Sequence, residues 1–449
     1  MRLLIFRVLY RIYRLLSWMQ HRIPRRLTRA GLAVFMGWLL AALTGLDTDN
    51  MVVYQAFTLL LFLLLGSLPF LFFFNARFSA ARQLPRFATA GHAFRYRVSV
   101  TNLAAKRQGG LTLLEDLVDP RPSFSEWLAV QMADEKRFPS FSFSRRRRAS
   151  PFRTARVRET AVPLIPPNRT SEATVEITPL RRGILRFGGV TLARPDPLGL
   201  CRAFSSVALP QTVLVLPKRY PFPPIALPGA TRYQEGGVTF ASNVGQSEEF
   251  VALRDYRRGD PLRHIHWRSW AKTGKPIVKE FEDEFFVRHA LVLDTFTDDP
   301  RSELFEEAVS VAASFACAVL TQESLLDLLF VGPQAYCFTA GRGLAHTDQM
   351  LEILASVRTC GEPQFRALET LVLEHAAIVS GCICVLLAWD DTRRNLVRKL
   401  KALGIPVLVL VVTEPGGEGS LEPGPMRDDP DRFRVLEIGR IEQDLATLK

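Results

Sequence analysis

Two charge-free apolar runs near the start of this 449-residue chain constrain its fold more than any other feature: Ala30 to Leu46, 17 residues, and Met51 to Phe74, 24 residues. A helix needs about 20 apolar residues to cross a hydrocarbon core about 30 Å thick, so the second run crosses with room and the first only just. Between them Asp47-Thr48-Asp49-Asn50 leaves space for a hairpin turn and nothing more. With 48% hydrophobic residues overall, the chain reads as a membrane protein with a large soluble part.

Charge sets the expected orientation. Residues 1–29 carry eight arginines and no acid, Arg77, Arg82 and Arg86 follow the second run, and the turn carries only Asp47 and Asp49. The positive-inside rule places both flanks in the cytoplasm, giving a two-pass inner-membrane protein with its N-terminus and soluble domains cytoplasmic. A secretory signal is disfavoured because Arg7, Arg11 and Arg14 interrupt the apolar stretch where such a signal is continuous. Those three arginines share one helical face, so the segment reads either as a helix lying in the plane of the interface or as an unstructured basic anchor. Eight of the +12 net charges sit here, beside the expected bilayer, which points to lipid and not nucleic acid as the partner of the basic excess. A second basic cluster, Arg145 to Arg148, lies in a Ser/Pro-rich stretch that reads as a solvated loop or a phosphate or lipid contact.

Beyond the spans the pattern divides in two. From Pro85 to Pro217 short alternating segments such as FRYRVSVTN and ATVEITP predict an antiparallel β-sandwich. Within it, Arg182 to Leu200 reads as a strand, a Gly-Gly turn at Gly188-Gly189, a second strand and an Asp-Pro-Leu-Gly turn. After Glu284, continuous apolar strands alternate with amphipathic helices, which implies a mainly parallel sheet covered on both faces. The expected organisation is a basic segment (1–29), a transmembrane helical hairpin (30–74), a β-sandwich (75–217), a Pro-rich linker (218–244), a distinctive segment (245–284) and an α/β domain (285–449). Six cysteines show no metal-site spacing; Cys382 and Cys384 flank Ile383 and read as small core residues on one face of a strand.

The distinctive segment, GQSEEFVALRDYRRGDPLRHIHWRSWAKTGKPIVKEFEDE, concentrates Glu249, Phe250, Leu253, Arg254, Tyr256, Gly259, Asp260, Arg263, Ile265 and Trp267, then Val278 to Glu282. This spacing resembles the hallmark of a bacterial family known as domain of unknown function 58, and Asp196, Pro197, Gly199 and Leu200 extend the likeness upstream. One departure follows Trp267, where Lys272 stands in place of the family's arginine and lacks its planar fork. The resemblance implies a von Willebrand A-like (Rossmann-like) α/β domain. It also implies a partner, a MoxR-type AAA+ ATPase, with which such proteins act in assembling or maturing other protein complexes. The candidate partner-binding residues are Glu249, Arg254, Tyr256, Gly259, Asp260, Arg263 and Trp267. The same charges could instead form a purely structural ion-pair network.

Chemistry has two candidate seats. In open α/β sheets ligands collect beyond the carboxyl ends of the strands, and there this chain offers Asp294, Asp298 and Asp390. Von Willebrand A-like domains carry Asp-x-Ser-x-Ser at the first such end; here Asp294-Thr295-Phe296-Thr297-Asp298 keeps the first aspartate and replaces both serines. Three carboxylates could hold Mg²⁺, or they could cap the helices that follow. His264 and His266, flanking Ile265 as on one side of a strand, could join Asp260 as an acid/base or metal set. A non-enzymatic, membrane-anchored scaffold is therefore weighed against a metal-dependent hydrolase using these Asp and His residues. The sequence has no Walker loop, Rossmann glycine fingerprint, catalytic-serine elbow or zinc signature; Ala271 to Pro276 (AKTGKP) lacks the upstream glycine and trailing Ser/Thr of a phosphate loop.

Overall fold

A computed structural model of the chain describes residues 2–44, 51–74, 76–118, 121–137, 153–221, 250–258, 260, 262–281, 288–320, 325–340, 344–361, 365–416 and 421–448. They form two compact units: Met1–Lys218 with Asp298–Ser302 and Leu354–Val357, and Arg219–Thr297 with Glu303–Ile353 and Arg358–Lys449. The turn holding Asp47 and Asp49, the cluster Arg145 to Arg148, and residues 222–244 of the Pro-rich stretch lie outside the described residues.

The first unit opens with three helices, α1 (Arg2–Arg26), α2 (Arg29–Thr44) and α3 (Met51–Phe73). The basic N-terminal segment is thus helical, with Arg7, Arg11 and Arg14 exposed along it. α2 and α3 lie side by side: Trp38 stacks on Phe57 with ring centroids 5.8 Å apart, and a Cβ on Gly37 would sit 3.5 Å from Leu60, an ordinary contact. Among the described residues one helix is long and apolar enough to cross a membrane, over Val52–Leu71; α2 is shorter.

Next come β1 (Phe78–Gln83), β2 (Phe87–Thr89), β3 (Phe94–Asn102), β4 (Leu111–Leu117), α4 (Phe124–Arg137), β5 (Ala155–Val157), β6 (Thr160–Val162), β7 (Thr170–Pro179), β8 (Gly183–Pro195) and β9 (Arg202–Leu216). They make two sheets, β1-β3-β7-β5 and β2-β9-β8-β4-β6. The period-2 alternation of β3 turns Val98 and Val100 inward, where they share one core with Val175 and Ile177 of the same sheet and Leu113, Phe187, Leu192 and Val215 of the other. A buried ion pair crosses this core: Arg82 Nη2 lies 2.9 Å from Glu115 Oε2, with the guanidinium 4.6 Å from the Phe187 ring centroid. Burial outweighs the pull of Arg82 and lifts the Glu115 carboxyl to about 7.

Two local expectations change. Gly188-Gly189 is not a turn: β8 runs straight through it, with a register shift against both neighbouring strands. A Cβ on Gly189 would lie 2.4 Å from the Val207 carbonyl oxygen, so glycine here permits close strand approach at a bulge. Helix α4 was not expected within the sandwich, though its start is a capping box, with Ser123 N donating to Glu126 Oε2 (3.1 Å) and Glu126 N to Ser123 Oγ (3.3 Å).

The Asp-Pro-Leu-Gly turn joins the helices to the sheets. Asp196 Oδ1 accepts from Cys201 N (2.7 Å) and Asp196 N donates to Cys201 O (2.9 Å), which closes the loop and turns the Leu200 carbonyl outward. Thr28 N donates to that carbonyl at 3.0 Å, Gly31 N donates to Thr28 Oγ1 at 3.0 Å, and Ser67 of α3 meets Cys201 Sγ at 3.2 Å. A Cβ on Gly31 would lie 2.0 Å from Leu200 O, so only glycine fits. Gly31→Val should therefore pry α2 from the turn. The Cys201 thiol, now buried, should react with maleimide at least about tenfold faster, equal to about 1.4 kcal/mol of opening. Gly37→Ala should leave the rate unchanged; equal rates in all three proteins would refute the contact's importance.

The second unit contains β10 (Phe250–Asp255), α5 (Trp267–Thr273), β11 (Ile277–Phe281), β12 (Arg288–Leu293), α6 (Glu303–Leu320), β13 (Leu325–Val331), β14 (Ala335–Ala340), α7 (Leu344–Ser356), α8 (Phe365–His375), β15 (Gly381–Leu386), α9 (Asp391–Ala402), β16 (Val407–Thr413), β17 (Phe433–Glu437) and α10 (Ile441–Ala446). Strands β12–β17 form one sheet in the order β14-β13-β12-β15-β16-β17, all parallel except the edge strand β14. The order reverses between β12 and β15, the switch point of a doubly wound fold. Helices α8 and α9 cover one face through Leu368, Leu396 and Leu400, which pack with Val292, Cys382 and Cys384. The antiparallel strand β14 and helix α8 were not foreseen.

His289, buried in β12, has its pKa depressed by burial to about 4. An unfolded histidine takes up a proton near pH 6.5, so below that pH the unfolded chain binds a proton that the folded one refuses; stability is intact above about 6.5 and drains away as pH falls toward 4. His289→Leu should remove this acid penalty. Between about pH 7 and 4.5 the wild type should lose about 2–3 kcal/mol more than the variant, read from hydrogen exchange of β12 and β15 amides with the two proteins compared at each pH. Parallel pH profiles would contradict it.

Candidate functional site

The hallmark residues build a small module of their own, a two-stranded antiparallel sheet of β10 and β11 with a 3₁₀ turn (Leu262–His264) and α5 between the strands. Arg254 pairs with Val278 across the ladder, and Val278 also bridges to Ile265; Ile265 and Val278 are its buried apolar centre. Helix α5 ends on Gly274, at φ +69°, whose N–H donates to Trp270 O at 2.9 Å, the left-handed cap that favours glycine.

Arg254 and Asp260 face each other. Arg254 Nη1 donates to Asp260 Oδ2 at 2.8 Å and Nη2 to Oδ1 at 2.9 Å, a bidentate pair with side-chain exposures of 33% and 15%. Arg257 N adds a bond to Oδ2 at 2.7 Å. The Arg254 guanidinium and this backbone donor hold the Asp260 carboxyl at about 2, below the usual aspartate range. The pair staples the end of β10 to the loop that follows it. Tyr256 belongs to the same scaffold, its N–H donating to Pro276 O at 2.9 Å. Glu249 and Gly259 lie outside the described residues.

The histidines do not form the expected strand pair. His264 ends the 3₁₀ turn and His266 sits at the start of α5, its Nδ1 2.7 Å from Ser269 Oγ. Asp260 is engaged by Arg254 and by the Arg257 backbone. The module instead shows its surroundings Leu262 and Trp267, 68% and 64% exposed, with Trp267 stacked on Trp270 at 5.2 Å between centroids. Arg257, Arg258, Arg263, Arg268 and Lys272 of the same segment are all exposed, as is Asp255.

The strand-end aspartates meet an arginine that sequence reasoning missed. Asp294, fully buried, accepts from Phe296 N (3.0 Å), Leu387 N (3.1 Å) and Arg393 Nε (2.6 Å). Arg393 Nη1 bonds Asp390 Oδ2, while Asp390 Oδ1 caps α9 by accepting from Arg393 N at 2.9 Å. Phe296, in place of the first motif serine, packs on Phe365, over which the Arg393 guanidinium also lies at 5.0 Å. A guanidinium thus bridges the two carboxylates expected to hold a divalent cation, and an aromatic ring lies against it. Asp298 is exposed on the following loop. Among the described residues no group of three or more His, Cys, Asp or Glu could hold a metal ion. The helix-capping reading describes Asp390; Asp294 is a buried ion-pair partner. Arg393 escaped notice because it lies in TRRNLVRKLK, where one inward arginine looks like its solvated neighbours.

Residues 252–417 match the family model described as "Protein of unknown function DUF58". "Uncharacterized protein YeaD" of Bacillus subtilis (strain 168) is 30% identical over 189 residues, 42% of this chain and 46% of that protein, so the match spans about half the relative's length. These two findings support the family resemblance. Among solved structures, the secreted serine protease VesC from Vibrio cholerae overlaps 35% of this chain and 26% of its own at 7% identity and a TM-score of 0.17. A cohesin module from Clostridium perfringens ATCC13124 overlaps 31% of this chain and 98% of its own at 9% identity and a TM-score of 0.14. At such scores neither likeness bears on fold or function.

Removing one partner of a buried pair leaves an uncompensated charge. Arg393→Met should lower the unfolding free energy of the second unit by about 3–5 kcal/mol, measured by denaturant titration, and Asp294→Asn in the same chain should recover part of it. An unchanged midpoint in Arg393→Met would show that the bridge holds nothing.

Proposed function

We propose that this chain is a membrane-anchored, non-enzymatic interaction protein whose hallmark module docks a second protein. One observation carries the reading: the module spends Arg254 and Asp260 on its own frame and turns a stacked tryptophan, Leu262 and five basic side chains outward. An exposed aromatic anchor with exposed arginines on the same module has the composition of an interface hot spot, and the five exposed basic side chains, which outweigh the exposed Asp255, call for an acidic complementary face. Within the predicted binding set, Trp267 and Arg263 are then contact residues, while Arg254, Tyr256 and Asp260 support them. The family resemblance supplies the candidate partner, a MoxR-type AAA+ ATPase, and a role in assembling or maturing other proteins.

In this proposal the α/β domain is von Willebrand A-like. Its strand order and antiparallel edge strand β14 support that reading, although its strand-end aspartates are bridged by Arg393. The α2–α3 pair is proposed as a two-pass anchor with the soluble units cytoplasmic, supported by the contact between the helices and the arginines on both flanks.

The test is co-purification of the full chain, in nanodiscs, with a MoxR-type ATPase, with and without nucleotide. Trp267→Ala should weaken binding by about 2 kcal/mol, roughly 30-fold, with the melting temperature unchanged because the ring is exposed. Asp260→Ala should weaken it as well, while raising hydrogen exchange over residues 254–258. Wild-type binding by Trp267→Ala, or no association under either nucleotide condition, would sink the proposal.

A further inference from the structure

Helix α1 has three distinct faces. At 100° per residue, Phe6, Tyr10 and Tyr13 fall on one side, where they pack with Phe124, Trp127 and Val130 of α4; Tyr10 Oη donates to Pro122 O at 2.9 Å. Ile5, Leu9, Ile12 and Leu16 fall together on a second side, widened by Val8, Leu15 and Met19 into an arc of roughly 120°, and every one of them is exposed. Arg7, Arg11 and Arg14 line a third, between the other two and also exposed. So broad an apolar arc left open on a helix already packed on its aromatic side marks a surface that something else covers.

We propose that this arc lies in the anionic lipid surface at the foot of the membrane spans, with Arg7, Arg11 and Arg14 reaching phosphate headgroups. This rests on the membrane-anchored reading and concerns a surface separate from the hallmark module. Continuity selects the occupant: α1 ends at Arg26, only Leu27 and Thr28 separate it from α2, and α2 packs beside the apolar α3. Its end is also fixed, since Arg25 Nη1 donates to Asp116 Oδ1 at 2.8 Å and Arg26 lies over Phe204. Charge agrees, because arginines flanking an apolar arc are the arrangement that binds acidic lipid in plane. The α1–α4 pair thereby becomes a platform between bilayer and sandwich.

The experiment places benzoylphenylalanine at Ile12, or at the exposed Glu172 of β7 as control, in the full chain in nanodiscs of phosphatidylcholine with or without phosphatidylglycerol. After illumination, mass spectrometry should find a phospholipid adduct at position 12 and none at 172. The yield should fall roughly threefold or more without phosphatidylglycerol, or when Arg7, Arg11 and Arg14 are all changed to Gln. Carbonate extraction runs in parallel: release of the chain would overturn the anchoring reading itself, whereas retention without an adduct at 12 overturns only the α1 proposal. A crosslink to a second copy, equal adducts at both positions, or yields indifferent to lipid charge would likewise overturn it.

Discussion

Arg393 is 3% exposed and its Nε lies 2.6 Å from an aspartate with no exposure at all, and neither charge could stay in that interior alone. An unpaired buried ion costs several kcal/mol, so the guanidinium fixes at once the end of β12, the start of α9 and the loop through Phe296. The same device recurs at other depths. Arg82 and Glu115 cross the sandwich core, Arg288 grips the buried Asp327 bidentately at the start of β12, and Arg254 holds Asp260 near the surface. Depth changes what the pair does: buried, it forbids alternative packings; half-buried, it shapes a loop at little energetic consequence.

Internal pairing decides which charges remain for outside partners. Asp294, Asp390 and Asp260 are the carboxylates first nominated for catalysis or metal binding, and all are held by arginines, the first two sharing Arg393 and the third taken by Arg254, as Arg82 holds Glu115 in the sandwich core. The exposed charges on α1 and on the hallmark module are mostly cationic and share those elements with exposed apolar or aromatic side chains. Exposed cations beside apolar side chains are the composition that recognises acidic groups, which is the basis of both proposals.

Much of this was legible in the sequence where a period governs. The alternation of FRYRVSVTN became β3, the apolar runs became α2 and α3, and ALVL, CICVLL and VLVLVV became central strands because burial on both faces needs no polar alternation. What hid were features without a period. β14 is a short edge strand whose exposed AYCFTA carries little apolar signal, and Gly188-Gly189 reads as a turn until a partner strand is seen passing close by. The hallmark could be recognised but not apportioned: spacing alone does not say that Arg254 and Asp260 meet each other while Trp267 faces outward. Arg393 was hidden for a related reason, since one inward residue in a basic helix differs from its neighbours only in three dimensions.

The Asp196 turn shows what the apolar helices α2 and α3 do beyond any anchoring. An anchor needs only apolar length, and no sequence detail beyond that. Here Gly31 meets the Leu200 carbonyl with no room for a Cβ, Thr28 donates to the same oxygen, and Ser67 reaches Cys201 from the second helix. The backbone contact at Gly31 fixes the axial position and rotation of α2 together, because sliding it by one residue would bring Ala30 or Leu32 against the Leu200 carbonyl. The helices are therefore part of the sandwich fold, and any bilayer that holds them also sets the height and heading of the sheets beneath.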